Sequence, residues 1–209
     1  MQKEQFGTIW ADQIDVHSID QPGLSDPNGS PVTSEQHKKV LKTQSDYGKI
    51  PALASLDCEV EGAGNMCRDL PLTCRPLATG ACDSEELAEE LGRCIAKELR
   101  CAGANWRWAP VVDVSNRFAL GFMRAFAQDD PDKVIRLSNA HIRGMQAEGV
   151  AATAKHFPGG GIKTASGRDS HFTAQHSDIT KEEWWERQGK VYQGLIDSGV
   201  YSVMPCKRR

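Results

Sequence analysis

The fold of this chain is decided by residues 149–159, GVAATAKHFPG, together with the sequence on either side. Gly149 ends a helical pattern, and a mainly apolar run follows from 150 to 154. A short apolar run bounded by turn residues is typical of a buried strand. Lys155 and His156 follow it directly. The stretch therefore predicts a helix, a glycine stop and a strand with polar groups at its carboxyl end.

Helical and strand patterns alternate on both sides of this stretch. Helices are predicted for 34–46, from a cap at Asp83 to a stop at Gly103, from a cap at Asp130 to Gly149, and from a capping box at Thr180 to Gly199. Strands are predicted for 50–56, 106–112, 150–154 and 200–204. This spacing of strand and helix favours a parallel sheet, either closed as a barrel or open.

Ionisable residues cluster where the predicted strands end. Asp57 and Glu59 follow one strand and Asp113 follows the next. Lys155 and His156 follow the third. In a βα barrel the carboxyl ends of the strands share one face, where active sites are built. No glycine-rich phosphate loop follows a strand, which weakens a nucleotide-binding interpretation.

A second motif, Arg168-Asp169-Ser170-His171, lies in a glycine-rich loop. Asp169 can orient the imidazole of His171 and stabilise its protonated form. His171 can then act as an acid or a base near neutral pH, because its ordinary pKa is about 6.5. A neutral imidazole, unlike a carboxylate, would not repel an anionic acceptor such as phosphate.

Each of these residues also has a purely structural interpretation. Lys155 and His156 could close the strand through a salt bridge and a hydrogen bond, and an Asp-x-His motif also arises by chance. Arg124 could hold a substrate oxygen, or it could be a surface or helix-capping arginine. His141 and His176 are expected to be ordinary packing or surface histidines.

Composition narrows the class of protein. The chain has 209 residues and a net charge of −3, with no basic block, so nucleic acid is not an expected partner. No apolar run reaches the ~20 residues that a bilayer core requires, and the N-terminus lacks a secretory pattern. A cytoplasmic protein is therefore expected. Seven cysteines without a C-x-x-C pair favour reduced thiols over disulfides or a zinc site, and the spacing of Cys67, Cys74 and Cys82 matches no common ligand set. No metal and no other cofactor is predicted.

Several motifs in order resemble glycoside hydrolase family 3, in its β-N-acetylhexosaminidase branch. The resemblance covers roughly residues 34–205. It is carried by IPALASLDCEVEGAG (50–64), LGRCIAKELRCAGANWRWAPVVDV (91–114), RAFAQDDPDKV (124–134), AATAKHFPGGG (151–161) with RDSH (168–171), and EEWWERQGKVYQGLIDSGVYSVM (182–204).

The resemblance implies a (β/α)8 barrel that removes terminal N-acetyl-β-hexosamine residues with retention of configuration. It also implies a covalent glycosyl-enzyme intermediate on an aspartate. His171 would be the catalytic acid/base and Asp169 its partner. The implied sugar-binding residues are Asp57, Arg124, Lys155 and His156.

The resemblance also implies an incomplete domain. In the family the nucleophilic aspartate follows a later strand than the one predicted for 200–204. We therefore expect a partial barrel over 34–209 that lacks the final strands and is inactive alone. Residues 1–33 are poorly patterned, and only Thr8-Ile9-Trp10 could form a doubtful first strand. Unpaired barrel edges could mediate self-association. The alternatives are a non-catalytic sugar-binding or assembly fragment, and a phosphate-using variant of the same chemistry.

Overall fold

The computed structural model describes residues 8–10, 33–46, 48, 50–60, 62–65, 67–114, 124–127, 129–159 and 179–206. The strands in this part of the chain are β1 (Thr8–Trp10), β2 (Leu53–Leu56), β3 (Trp106–Arg107), β4 (Thr153–Phe157) and β5 (Ser202–Pro205). The helices are α1 (Ser34–Asp46), α2 (Pro76–Cys82), α3 (Glu85–Cys101), α4 (Pro131–Ala147), α5 (Lys181–Trp184) and α6 (Lys190–Asp197). A 3₁₀ turn, Gly62–Asn65, precedes α2, and a π-helical turn, Trp185–Gly189, joins α5 to α6.

The described strands are all parallel and lie side by side in chain order. β2 pairs with β1 on one side and with β3 on the other, and β4 pairs with β5. Isolated parallel bridges, Trp106 to Ala151 and Val111 to Lys155, connect the β3 segment to β4. Parallel strands in sequential order, with helices between them, are the arrangement of a (β/α)8 barrel wall. The five described strands form part of such a wall and do not close it.

The strands begin and end at different residues from those predicted. β4 starts at Thr153, because the strand beside it starts at Ser202 and these two residues are paired. Lys155 and His156 therefore lie within β4 rather than after it. The predicted strand at 50–56 is reduced to β2, Leu53–Leu56.

The predicted cap at Asp83 is wrong by one residue. Ser84 is the N-cap of α3, and its hydroxyl accepts a hydrogen bond from the Leu87 amide at 3.2 Å. Asp83 instead ends α2 in a left-handed conformation, and its carboxylate binds Arg136 of α4. The predicted caps at Asp130 and Thr180 are confirmed, since each side chain accepts a backbone amide hydrogen bond.

Helices α3 and α4 pack closely because glycines lie where their backbones meet. A Cβ atom added to Gly92 would lie 2.2 Å from the His141 carbonyl oxygen. A Cβ atom added to Gly144 would lie 2.1 Å from the Glu89 carbonyl oxygen. Both distances are far below van der Waals contact, and the obstacle is backbone that cannot rotate away. The two glycines therefore determine how closely α3 and α4 approach.

Two further properties of the described residues concern membrane-spanning helices and the state of the cysteines. None of their helices is long and apolar enough to cross a membrane. All seven cysteines are free thiols, with Cys58 and Cys67 buried and the others at least partly exposed.

We expect Gly92→Ala or Gly144→Ala to destabilise the protein by about 1–3 kcal/mol, because the added methyl group overpacks a backbone contact. Chemical denaturation monitored by circular dichroism measures this change. Gly194→Ala in α6 is the matched control, because its Cβ would meet only the flexible side chain of Ile135. That variant should be neutral or up to about 1 kcal/mol more stable, through higher helix propensity. Equal destabilisation by all three substitutions would contradict the packing argument.

Candidate active site

A buried lysine is the centre of a polar cluster at the carboxyl ends of β2, β3 and β4. The side chain of Lys155 is only 2% exposed. Its Nζ atom lies 2.5 Å from Asp57 Oδ1 and 2.5 Å from Glu59 Oε1. A buried ammonium is stable only when it is paired and hydrogen-bonded, and these two carboxylates meet that requirement.

Glu59 connects two cations. Its second oxygen, Oε2, accepts a hydrogen bond from Arg124 at 2.7 Å. Burial alone would raise the pKa of the Glu59 carboxyl, but Lys155 and Arg124 outweigh burial and hold this pKa below its ordinary value of 4.5. Glu59 is therefore ionised at neutral pH, and it links the end of β2 to both cations.

His156 is oriented by Asp113, which follows β3. The His156 Nδ1 atom lies 2.9 Å from Asp113 Oδ2, and the His156 backbone amide donates to Asp113 Oδ1 at 3.1 Å. A carboxylate can only accept hydrogen bonds, so Nδ1 carries the proton. Nε2, which lies 3.9 Å from Glu59 Oε1, is consequently the ring atom turned toward the cluster.

An irregularity in β4 lets the side chains of the consecutive residues Lys155 and His156 both face the carboxylate of Glu59. Lys155 pairs with Met204 and Phe157 pairs with Pro205, so the strand register shifts at His156. In a regular strand, consecutive side chains point to opposite faces. A β-bulge redirects one of them, and such bulges occur often beside active sites.

The cluster is accessible to a ligand at one side. The Asp57 side chain is 37% exposed, whereas the Lys155 side chain that it pairs with is buried. The Arg124 side chain is intermediate, at 29% exposure. The site thus offers an exposed carboxylate anchored to the buried Lys155 and a partly exposed guanidinium anchored to Glu59. Such donors and acceptors, held in fixed positions, suit a ligand that is rich in hydroxyl groups.

The structure brings together four of the residues that the sequence predicted for this site. Asp57, Arg124, Lys155 and His156 all belong to one connected cluster. The sequence-based site omitted Glu59 and Asp113, although both were noted at strand ends. The signal that could have identified them was their position as acidic residues directly after predicted strands. The remaining two predicted site residues, Asp169 and His171, lie outside the described residues.

No group of His, Cys, Asp or Glu side chains within the described segments is arranged to hold a metal ion. The charges of the cluster are instead paired with one another. Three carboxylates, Asp57, Glu59 and Asp113, face Lys155, Arg124 and the imidazole of His156.

The family of the chain follows from comparison with known proteins. Residues 24–207 match the N-terminal domain of glycosyl hydrolase family 3, and the chain belongs to this family. One relative, a beta-N-acetylglucosaminidase/beta-glucosidase of Cellulomonas fimi, is 30% identical over 175 residues, which are 83% of this chain. Another, a beta-hexosaminidase of Pseudomonas aeruginosa, is 42% identical over 102 residues, or 48% of this chain. The chain spans 30% of the length of each.

Solved structures share the fold. The beta-glucoside phosphorylase BglX superposes with a TM-score of 0.78 at 28% identity, covering 94% of this chain and 35% of that protein. A glycoside hydrolase family 3 beta-N-acetylglucosaminidase from Paenibacillus sp. superposes with a TM-score of 0.73 at 29% identity, covering 82% and 32%. The predicted incomplete (β/α)8 barrel is thereby confirmed.

We expect Glu59→Gln to destabilise the protein at neutral pH by about 1.5–3 kcal/mol, because the carboxylate charge is lost and glutamine has only one acceptor oxygen for the two cations. The folded-state pKa of Glu59 is lowered, so its ionised form contributes stability above the unfolded-state pKa. That contribution is lost as the pH falls through the folded-state pKa.

Denaturation of both proteins between pH 7 and pH 3 measures this dependence. The difference in unfolding free energy between wild type and Glu59→Gln should shrink as the pH falls below about 4.5. Glu90→Gln, on the exposed side of α3, is the control and should show little difference at any pH. A difference for Glu59→Gln that stays constant across this range would contradict the charge network.

Proposed function

We propose that this chain forms the sugar-binding part of a retaining β-N-acetylhexosaminidase. The observation that carries the proposal is the cluster around Lys155, in a domain of glycosyl hydrolase family 3. Relatives in this family include proteins named beta-hexosaminidase and beta-N-acetylglucosaminidase. The substrate is a terminal N-acetyl-β-hexosaminide.

The cluster holds the sugar through its hydroxyl groups. Asp57 accepts hydrogen bonds from them, while Arg124 and Lys155 donate. His156, oriented by Asp113, presents Nε2 to a further hydroxyl. Each of these side chains is already anchored to a partner in the protein, so little freedom is lost when the sugar binds.

His171 transfers the proton, and Asp169 orients the imidazole ring of His171. In the first step, protonated His171 donates to the leaving glycosidic oxygen while an aspartate attacks the anomeric carbon and forms the glycosyl-enzyme intermediate. In the second step, neutral His171 takes a proton from the water that cleaves this intermediate. The nucleophilic aspartate of the family follows a strand later than β5, so we propose that residues 1–209 alone bind sugar without efficient turnover.

We expect His171→Ala to lower kcat about 10²–10⁴-fold for an aryl N-acetyl-β-glucosaminide, because a general acid–base is lost. The assay uses the protein translated from the complete reading frame. A dinitrophenyl leaving group needs little protonation, so glycosylation of the enzyme should slow much less with that substrate. Asp169→Asn should give a smaller loss in the same direction.

His176→Ala in the same segment is the matched control and should retain full activity. Asp57→Ala should raise KM, because a sugar-binding carboxylate is removed. Unchanged turnover by His171→Ala of an aryl N-acetyl-β-glucosaminide whose leaving group is less activated than dinitrophenol would overturn the assignment of the acid/base. Failure of every aryl N-acetyl-β-hexosaminide to react with the wild type would overturn the substrate class.

A second candidate function is phosphorolysis, in which phosphate replaces water in the second step. The structural likeness to the beta-glucoside phosphorylase BglX favours it. A histidine base that is neutral before it accepts a proton does not repel a phosphate anion as a carboxylate would.

Phosphate dependence separates hydrolysis from phosphorolysis. If the protein is a phosphorylase, millimolar phosphate should accelerate cleavage and the product should be a sugar 1-phosphate, detectable by phosphorus NMR. Sulfate at equal ionic strength is the control for a salt effect. Release of free sugar at a rate independent of phosphate would identify a hydrolase.

A further inference from the structure

A fully buried arginine lies behind the active-site cluster. Arg107, on β3, is the largest fully buried side chain among the described residues. It faces the helix layer, where its NH1 atom contacts His141 Nε2 at 3.0 Å and Met145 Sδ at 3.7 Å, both on α4. Its position on the sheet places it directly beside the end of β2, since Arg107 pairs with Leu56.

The other donors of Arg107 bind the backbone that carries the cluster. Its Nε atom donates to the Cys58 carbonyl oxygen at 2.8 Å, and its NH2 atom donates to the same oxygen. NH2 also donates to the Glu59 carbonyl oxygen, at 3.2 Å. These two carbonyls belong to the residues directly after Asp57. One guanidinium therefore holds the segment whose two acidic side chains pair with Lys155.

His141 anchors this arginine in a single orientation. Burial, and secondarily the charge of Arg107, lower the pKa of His141 to about 3, so its imidazole is neutral. Its Nδ1 atom lies 3.2 Å from the Ala88 carbonyl oxygen, which can only accept a hydrogen bond. The proton is therefore on Nδ1, and Nε2 is left to accept the hydrogen bond from Arg107.

The charge of Arg107 is directed at carbonyl oxygens and not at a carboxylate. Among the described residues, no acidic side chain forms a salt bridge with it. Burial lowers the pKa of Arg107, and the charges of Glu59, Glu98 and Asp57 act in the opposite direction without outweighing burial. A fork of fixed donors suits two adjacent carbonyls better than a flexible ammonium does. Leaving those carbonyls without a buried donor would be costly, because their desolvation would no longer be compensated.

We propose that Arg107 is a positioning residue that holds backbone residues 58–59 in place, with His141 as its anchor, so that Asp57 and Glu59 face Lys155. The consequence for sugar binding rests on the function proposed above. The backbone role does not, and it can be measured without any substrate.

The first test is Arg107→Met, which removes the guanidinium and fills the core with an unbranched apolar side chain. Native-state alkylation, followed by mass spectrometry, measures the reactivity of each thiol. Cys58 should react about ten- to hundredfold faster, because the hydrogen bonds that hold its backbone are lost. Cys67, equally buried in the same core, reports general destabilisation and should keep its low reactivity.

The second readout is the pKa of Glu59, followed by carbon-13 NMR of its carboxyl group. This pKa is compared between wild type and His141→Leu, because that variant keeps the charge of Arg107, which itself acts on Glu59. It should rise toward 4.5 in His141→Leu, because Glu59 moves away from Lys155 and Arg124. A role in stability alone would lower the melting temperature but leave both the Cys58 to Cys67 reactivity ratio and the Glu59 pKa unchanged. That result would overturn the proposal.

Two substitutions of His141 test the anchor and serve if Arg107→Met does not fold. Gln can donate to Ala88 and accept from Arg107, so His141→Gln should retain the wild-type pattern. His141→Leu can do neither and should resemble Arg107→Met. Arg143→Met on α4 is the matched control, because it removes an ion pair with Glu89 without touching residues 58–59. Identical behaviour of the Gln and Leu variants would count against the anchor.

Titration with N-acetylglucosamine then connects the backbone role to the proposed function. Arg107→Met and His141→Leu should bind this sugar at least about tenfold more weakly than the wild type, whereas Arg143→Met should bind it normally. If the wild type itself does not bind, the proposed function fails. The thiol and Glu59 measurements still decide the role of Arg107.

Discussion

The structure depends on the buried ammonium group of Lys155. A cation at 2% exposure requires partners at short distance, and Asp57 and Glu59 supply them at 2.5 Å each. These partners belong to the end of β2, whereas Lys155 lies on β4, with β3 between them. The ion pairs can form only if the three strands are parallel and aligned at their carboxyl ends. The charge cluster therefore depends on the barrel wall.

Further contacts connect Lys155, Asp57 and Glu59 to the rest of the site. Glu59 extends it to Arg124, and Asp113 fixes the ring of His156 on the neighbouring position of β4. Arg107 supports the arrangement from the helix side through backbone carbonyls. Side chains held in this way lose little freedom when a ligand binds. The charges that the fold has to neutralise in any case thus also supply the fixed donors and acceptors of the proposed sugar site.

Features encoded within a few residues were predictable from the sequence. Helix α1 at Ser34–Asp46 and the capping box of Thr180 with Glu183 were predicted correctly, because both depend on contacts three or four residues apart. The cap at Asp83 was not. Asp83 and Ser84 can both cap a helix, and the choice between them coincides with an ion pair between Asp83 and Arg136, 53 residues away.

The sequence by itself determined the alternation of strands and helices, the family resemblance, and the polar residues at the strand ends. Only the tertiary structure decided that Glu59 joins two cations and that Arg107 is anchored by His141. The physical reason is distance along the chain. Lys155 and Asp57 are 98 residues apart, so their pairing depends on which strand ends a parallel sheet brings together. Local patterns encode each strand, but they do not encode its neighbour.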